Sequence, residues 1–304
     1  MTLTRVAVEE ASAHMLAGVA PLDAETVTLS DALGRVLADD IVAAISLPPW
    51  DNASMDGFAV HADDVRGATA EQPATLRVVE TIAAGGQPTL AIGAGEAARI
   101  MTGAPVPVGV DSVIRVEDSI PSNSAGVVSI VDDRDVLRNV RRRGEDVIEG
   151  ARVLTAGTVV GPAHVGVLAS VGVAQPSVHR RPRVAILATG DELVELDGFI
   201  AVRRGERIVS SNSYSLAAAA RAAGGDPISL GVAPDDPHAI AERLQAAHGC
   251  DVIITSGGVS VGDYDHVRHV ITSLGGEVSL WRVRMRPGAP LAYGRLFGVP
   301  WFGL

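Results

Sequence analysis

RVAILATGDEL, residues 183–193, reads as a strand that ends in a Thr-Gly turn and delivers the chain to two acidic residues. Its unbroken run of small and branched apolar residues leaves no polar face, so both sides of the strand must be covered. Working toward the C-terminus, Asn212 can cap a helix that ends at Gly224–Gly225. PISLGVA (227–233) is the next strand. Asp235 or Asp236 can cap a second helix with Pro237 in its first turn and Gly249 closing it. DVIITS (251–256) is a third strand, and a helix is expected over about 264–274. Strands alternating with helices specify a mixed α/β fold with a mostly parallel sheet and helices on both faces. In such sheets ligands bind beyond the carboxyl ends of the strands. Thr189–Glu192, Asp235 and Ser256–Asp265 fall there.

Each of these groups has a structural reading beside a functional one. Ser256, Gly257 and Gly258, followed by Ser260, Gly262, Asp263 and Asp265, form a glycine-rich turn. Its backbone N–H groups could cradle a phosphate, or the turn could be a connector with caps. It is neither the dinucleotide fingerprint nor a P-loop, which needs a Gly-Lys pair. Asp191 and Glu192 could open a helix or project into the ligand crevice. Ser210, Ser211 and Asn212 could bind phosphate, and capping explains Asn212 equally well. Asp235 is a site candidate if Asp236 is the cap. Farther on, Arg282, Arg284 and Arg286 alternate as on a strand, which would place three guanidiniums on one face, against solvent or anions.

Toward the N-terminus the pattern changes. Thr4 can cap a helix over about 5–18, and Ser30 a short one through Leu37. Between about 44 and 137 short β-like runs are separated by Gly, Pro and Asn: 76–80, 97–101, 112–116 and 127–131. The run Arg141–Arg143 suits either a solvated face or an anionic contact. All 25 basic residues are arginine, against 36 acidic ones, and the net charge of −11 argues against general nucleic-acid binding. The single cysteine, Cys250, cannot form an intramolecular disulfide. With no apolar run long enough to span a membrane and no signal-peptide core, cytoplasmic residence is expected. The eight histidines show no zinc-binding spacing.

WDNASMDGFAV (50–60) packs Asp51, Asn52, Ser54 and Asp56 between apolar flanks, a structured turn in character. With RIMTGAP (99–105), ATGDEL (188–193) and SGGVSVGDYD (256–265) it resembles, in segment and in order, the molybdopterin molybdenumtransferase family, the MoeA proteins and the gephyrin E domain. The resemblance implies four parts. Residues 1–18 would form a helix packed on an α/β molybdopterin-binding domain at 181–304. Residues 19–43 and 138–180 would form an elongated linking domain, and 44–137 a β-rich domain. The family pattern continues past Trp301–Leu304 with a Pro-Gly-Asn-Pro turn and a further β domain, which these 304 residues do not contain.

The resemblance also implies a reaction: molybdate enters the dithiolene of adenylylated molybdopterin and AMP leaves, with Mg²⁺ required. Asp51, Thr102, Glu192, Asp235 and Asp265 match functional positions, with Glu192, Asp235 and Asp265 the candidate metal carboxylates. Ser211, Asn212, Ser256, Gly257, Gly258, Ser260 and Gly262 would hold the pterin nucleotide. Arg282 and Arg286 stand where the family has lysines that bind a tetrahedral oxyanion, and Ala289 stands where it has a further cation. Because the motifs divide between the β-rich and α/β parts, a homodimer with a shared cleft is implied, with possible handover to other cofactor-synthesis proteins. A non-catalytic, gephyrin-like scaffold of the same fold is the alternative.

Overall fold

The computed structural model describes residues 2–121, 126–258, 266–286 and 288–304. The chain forms two compact units. One comprises residues 1–26, 34–36 and 177–304, the other residues 27–33 and 37–176.

The first unit is built on a seven-stranded sheet. Its spatial order is Leu3–Val6, Glu277–Val283, Ala292–Leu296, Val299–Gly303, Val252–Ser256, Arg183–Thr189, Asp226–Ala233. Among these strands Ala292–Leu296 alone runs against the others, so six share one direction. From Arg183–Thr189 the chain crosses to Asp226–Ala233 on one side and then to Val252–Ser256 on the other. Right-handed crossovers therefore put the helices Ser211–Ala222 and Pro237–Gln245 on opposite faces. The apolar run at 184–188 is buried throughout, as expected of a strand covered on both faces. Ala185 and Leu187 join Ile240, Leu244, Ile271 and Trp301 in one core. Trp301 is fully buried and donates Nε1 to Thr255 Oγ1 at 3.1 Å.

The N-terminus departs from expectation. Residues Leu3–Val6 are a strand, parallel to Glu277–Val283, and the helix is confined to Val8–Leu16. Thr4 does not cap it; Ala7 occupies the N-cap position. The partner strand lies about 280 residues away in sequence, out of reach of local patterning. Asn212 is likewise not a cap. It sits inside the helix Ser211–Ala222, with Ser210 at the N-cap. Asp236 does cap Pro237–Gln245, accepting from Ala239 N at 2.8 Å. Ser30 lies within a 3₁₀ turn, Leu29–Ala32, capped by Thr28.

The second unit carries a six-stranded sheet in the order Ser112–Arg115, Gly57–Val60, Glu96–Ile100, Ala74–Ile82, Val127–Ile130, Ser119–Pro121. Four of these strands match the β-like runs expected at 76–80, 97–101, 112–116 and 127–131. The sheet has a core on each side. Phe58, Val60, Ala97 and Ile114 face one; Ala59, Ala98, Ile100 and Val113 face the other. That double burial is why its strands lack a polar alternation.

Candidate functional site

In the first unit strand order reverses between Arg183–Thr189 and Val252–Ser256, the position where α/β sheets open a ligand crevice. A concavity of about 220 Å³ lies there. Thr189, Glu192, Ser211, Asn212, Ser256 and Gly257 line it, bringing five of the expected site residues together. Asn212 Nδ2 donates to Ser256 Oγ at 3.1 Å, joining the start of a helix to the end of a strand. A short parallel ladder, Leu193–Val194 with Ile208–Val209, forms the remaining wall.

Two glycines in this site hold backbone that side chains rarely adopt, Gly257 and Gly190, the latter at φ +153°. Gly257 has φ +96°, and a Cβ there would lie 2.5 Å from the Thr189 carbonyl oxygen. A Cβ on Gly190 would lie 2.6 Å from Glu192 Oε2, so the carboxylate folds back over bare backbone. Thr189 is buried, and its Oγ1 has no hydrogen-bond partner among the described residues. A buried hydroxyl left unpaired is costly unless something else completes it. Asp191 and Asp235 hold each other's loops. Asp235 N donates to Asp191 Oδ1 at 3.2 Å, and Asp191 N to Asp235 Oδ2 at 3.4 Å. Asp235 is thus at the same end of the sheet as Glu192, though it does not line the concavity. Gly258 follows Gly257 with φ +68°. Ser260, Gly262 and Asp265 lie outside the described residues.

The arginine stretch corrects the sequence reading. Its strand ends at Val283, and Arg282 has a left-handed backbone, φ +69°, so the expected alternation over 282–286 is not formed. Arg282, Arg284 and Arg286 nonetheless line one concavity of about 510 Å³, together with Ala289 and Arg5. It opens where the Glu277–Val283 strand ends, at the carboxyl end of the sheet. Four strand spacings separate Glu277–Val283 from Arg183–Thr189, roughly 19 Å.

Arg5 was not legible as a site residue, because Leu3–Val6 was read as the start of a helix. Thr189 was legible as part of a motif but not as an unpaired hydroxyl.

In the second unit the motif residues have partners within the fold. Asp51 accepts from Arg143 N and from Arg142 Nη1, each at 2.7 Å. Those contacts, the backbone N–H of Arg143 foremost, hold its carboxyl below the usual range. The Arg141–Arg143 run is therefore partly spent on Asp51. Thr102 gives both its N–H (2.7 Å) and its hydroxyl (2.8 Å) to Asp56 Oδ1, which lowers the Asp56 pKa, the backbone bond contributing most. Among the described residues no three His, Cys, Asp or Glu side chains form a metal cluster. Among the described helices none is long and apolar enough to cross a membrane.

Residues 6–172 match the family described as "MoeA N-terminal region (domain I and II)", and residues 185–304 match "probable molybdopterin binding domain". The chain is similar to a molybdopterin molybdenumtransferase of Nostoc sp., 43% identical over 270 residues. That alignment covers 88% of this chain and 61% of the relative. Molybdopterin molybdenumtransferase 2 of Mycobacterium tuberculosis is 41% identical over 298 residues, with coverages of 95% and 71%. Among solved structures, a MoeA protein of Pyrococcus horikoshii superposes with a TM-score of 0.84 at 30% identity, covering 98% of this chain and 74% of that one. The chain thus spans 61% to 74% of the length of these relatives. Matched along nearly its whole length by both families and by these relatives, it belongs to the MoeA family of molybdopterin molybdenumtransferases.

Proposed function

We propose that the protein acts in molybdenum-cofactor synthesis, inserting molybdate into adenylylated molybdopterin with release of AMP. One observation carries this reading: a hydroxyl- and amide-lined concavity suited to phosphate and an arginine-lined concavity suited to an oxyanion open at the same end of one sheet. Backbone N–H groups near Gly257, with Ser211, Asn212 and Ser256, would hold phosphate. The unpaired Thr189 hydroxyl would donate to the same group. Arg282 and Arg286 would hold molybdate by charge-assisted hydrogen bonds.

Glu192 and Asp235 are hard oxygen donors beyond the strand ends, with Asp265 the third carboxylate of the set. Mg²⁺ is commonly held by one or two carboxylates plus substrate phosphates and water, a set that these residues can supply. When bound there it would neutralise phosphate charge. The chain's own residues then orient the nucleotide and deliver the oxyanion. Asp51 and Thr102, on the second unit, would complete the site in a cytoplasmic homodimer, with the product passed to other cofactor-synthesis proteins.

The test is reconstitution from adenylylated molybdopterin, molybdate and Mg²⁺, following AMP release. Light scattering should report about twice the 31.3 kDa of one chain. Binding of the pterin nucleotide without any AMP release would instead identify a non-catalytic scaffold.

A further inference from the structure

Four arginines, Arg5, Arg282, Arg284 and Arg286, line one concavity of about 510 Å³, and no acidic residue lines it with them among the described residues. None of the four guanidiniums forms an ion pair or hydrogen bond among the described residues. Several arginines elsewhere are matched to a carboxylate: Arg35 to Glu25, Arg115 to Asp135, Arg142 to Asp51, Arg152 to Asp40, Arg180 to Asp251. In a chain with 36 acidic and 25 basic residues, this concavity locally reverses the overall charge. Arg5, Arg284 and Arg286 are exposed, so solvent screens much of their repulsion, and an anion entering this concavity would meet four positive charges.

The backbone is also committed to this arrangement. Arg5 (φ +55°) and Arg282 (φ +69°) both take the left-handed conformation, disfavoured for a residue with a Cβ. They occupy the same step of one parallel ladder, between the pairs Thr4–Trp281 and Val6–Val283. Arg284 N donates to Val6 O at 2.8 Å, pinning the N-terminal strand to the arginine segment. The N-terminal strand thus brings a cation to a site otherwise made by residues about 280 positions later.

We infer that Arg5 is a further oxyanion-binding residue, completing with Arg284 the pocket of Arg282 and Arg286 for a tetrahedral, doubly charged oxyanion. This rests on the proposed molybdate-handling role of that pocket. Arg5 contributes binding through a charge-assisted hydrogen bond, and its left-handed backbone fixes its approach.

The experiment is a calorimetric titration of the full 304-residue chain with molybdate. Arg5→Gly removes the guanidinium while keeping a residue at ease with φ +55°; Arg5→Ala is the companion variant. Ala289→Lys, on the wall of the same concavity, adds a cation. Arg221→Ala, an exposed helix arginine of the same unit, controls for net charge. Arg5→Gly and Arg5→Ala should weaken molybdate about tenfold without lowering the melting midpoint. Ala289→Lys in the Arg5→Gly background should recover most of that loss, and Arg221→Ala should change nothing. If both Arg5 variants bind as the parent does while Arg286→Ala loses molybdate, the inference about Arg5 falls and the proposed function stands. If the parent does not bind molybdate at all, both fall together. An equal loss in Arg221→Ala would reduce the effect to general charge and overturn the inference.

Discussion

The β-rich unit and the α/β unit treat charge in opposite ways. In the β-rich unit charged side chains are spent on the fold. Arg115 grips Asp135 with two hydrogen bonds, at 2.7 and 2.8 Å, and Asp135 is 1% exposed. Asp51 and Asp56, both within the motif at 50–60, are likewise engaged, by Arg142–Arg143 and by Thr102. In the α/β unit the pairing sits at the amino end of the sheet, where Arg180 holds Asp251 at 2.6 and 2.7 Å. Among the described residues the carboxyl end keeps four arginines and a buried hydroxyl unpaired. A fold that satisfies its own polar groups gains rigidity, and one that leaves them open at one end keeps them for a ligand. Asp51, Asp56 and Thr102 of the β-rich unit are held in local contacts; at the carboxyl end Asn212 and Asp235 also join neighbouring loops, but Thr189 Oγ1 and the four arginines have no such contact among the described residues.

Glu192→Gln tests the open end most severely. Under the proposed function AMP release should fall at least about a hundredfold, roughly 2.7 kcal/mol in barrier. The melting midpoint should stay within the change of a surface substitution, about 0.5 kcal/mol. Parent rates in this variant would break the contrast. Asp135→Ala tests the closed unit. It should cost about 2 kcal/mol, because charge-assisted hydrogen bonds are lost from a buried acceptor. A chemical-denaturation series that shows no shift would mean that the pairing there is ornamental to stability.

Acid should separate the two units. The carboxyls held below their usual range are Asp40, Asp51, Asp56, Glu80, Asp132 and Asp135 in the β-rich unit, against Asp251 in the other, among the described residues. A depressed carboxyl pKa contributes stability above its unfolded value, and that contribution is lost as pH falls through the folded value. The loss therefore begins below about pH 4 and falls chiefly on the β-rich unit. Limited pepsin digestion at pH 3 should cut within residues 37–176 before residues 177–304. Cleavage in the opposite order would break the comparison.

How much of this was readable beforehand follows from range. The strands at 183–189 and 252–256 announce themselves because burial on both faces writes an unbroken apolar run. The capping Asp236 next to Pro237 is equally local. The Leu3–Val6 strand was read as helix because its partner lies near residue 280, and nothing in LTRV reports a parallel neighbour. The alternation of Arg282, Arg284 and Arg286 pointed to one face of a strand. The strand stops and Arg282 turns left-handed, yet the three converge through the cavity they line. Asp51 and Thr102 were legible as motif residues, but not the partners that engage them, since Arg142 lies 91 positions from Asp51.

The smallest expected effect has an unusual sign. Thr189→Val replaces a buried hydroxyl that has no partner among the described residues with a methyl of nearly the same shape. In a satisfied interior, removing a hydrogen-bonding group destabilises. Here the hydroxyl contributes only its desolvation penalty while the site is empty of ligand, so the variant should be as stable as the parent or more so, by about 0.5–1 kcal/mol. The same change should weaken the pterin nucleotide by roughly fivefold, since one neutral hydrogen bond to the ligand is lost. Stability rising while affinity falls is a pattern that a purely structural threonine cannot produce. A thermal melt and a binding titration on the one variant decide it: lower stability with unchanged affinity would place Thr189 among the residues that serve the fold, and the carboxyl end of the sheet would then resemble the β-rich unit in the use it makes of its polar groups.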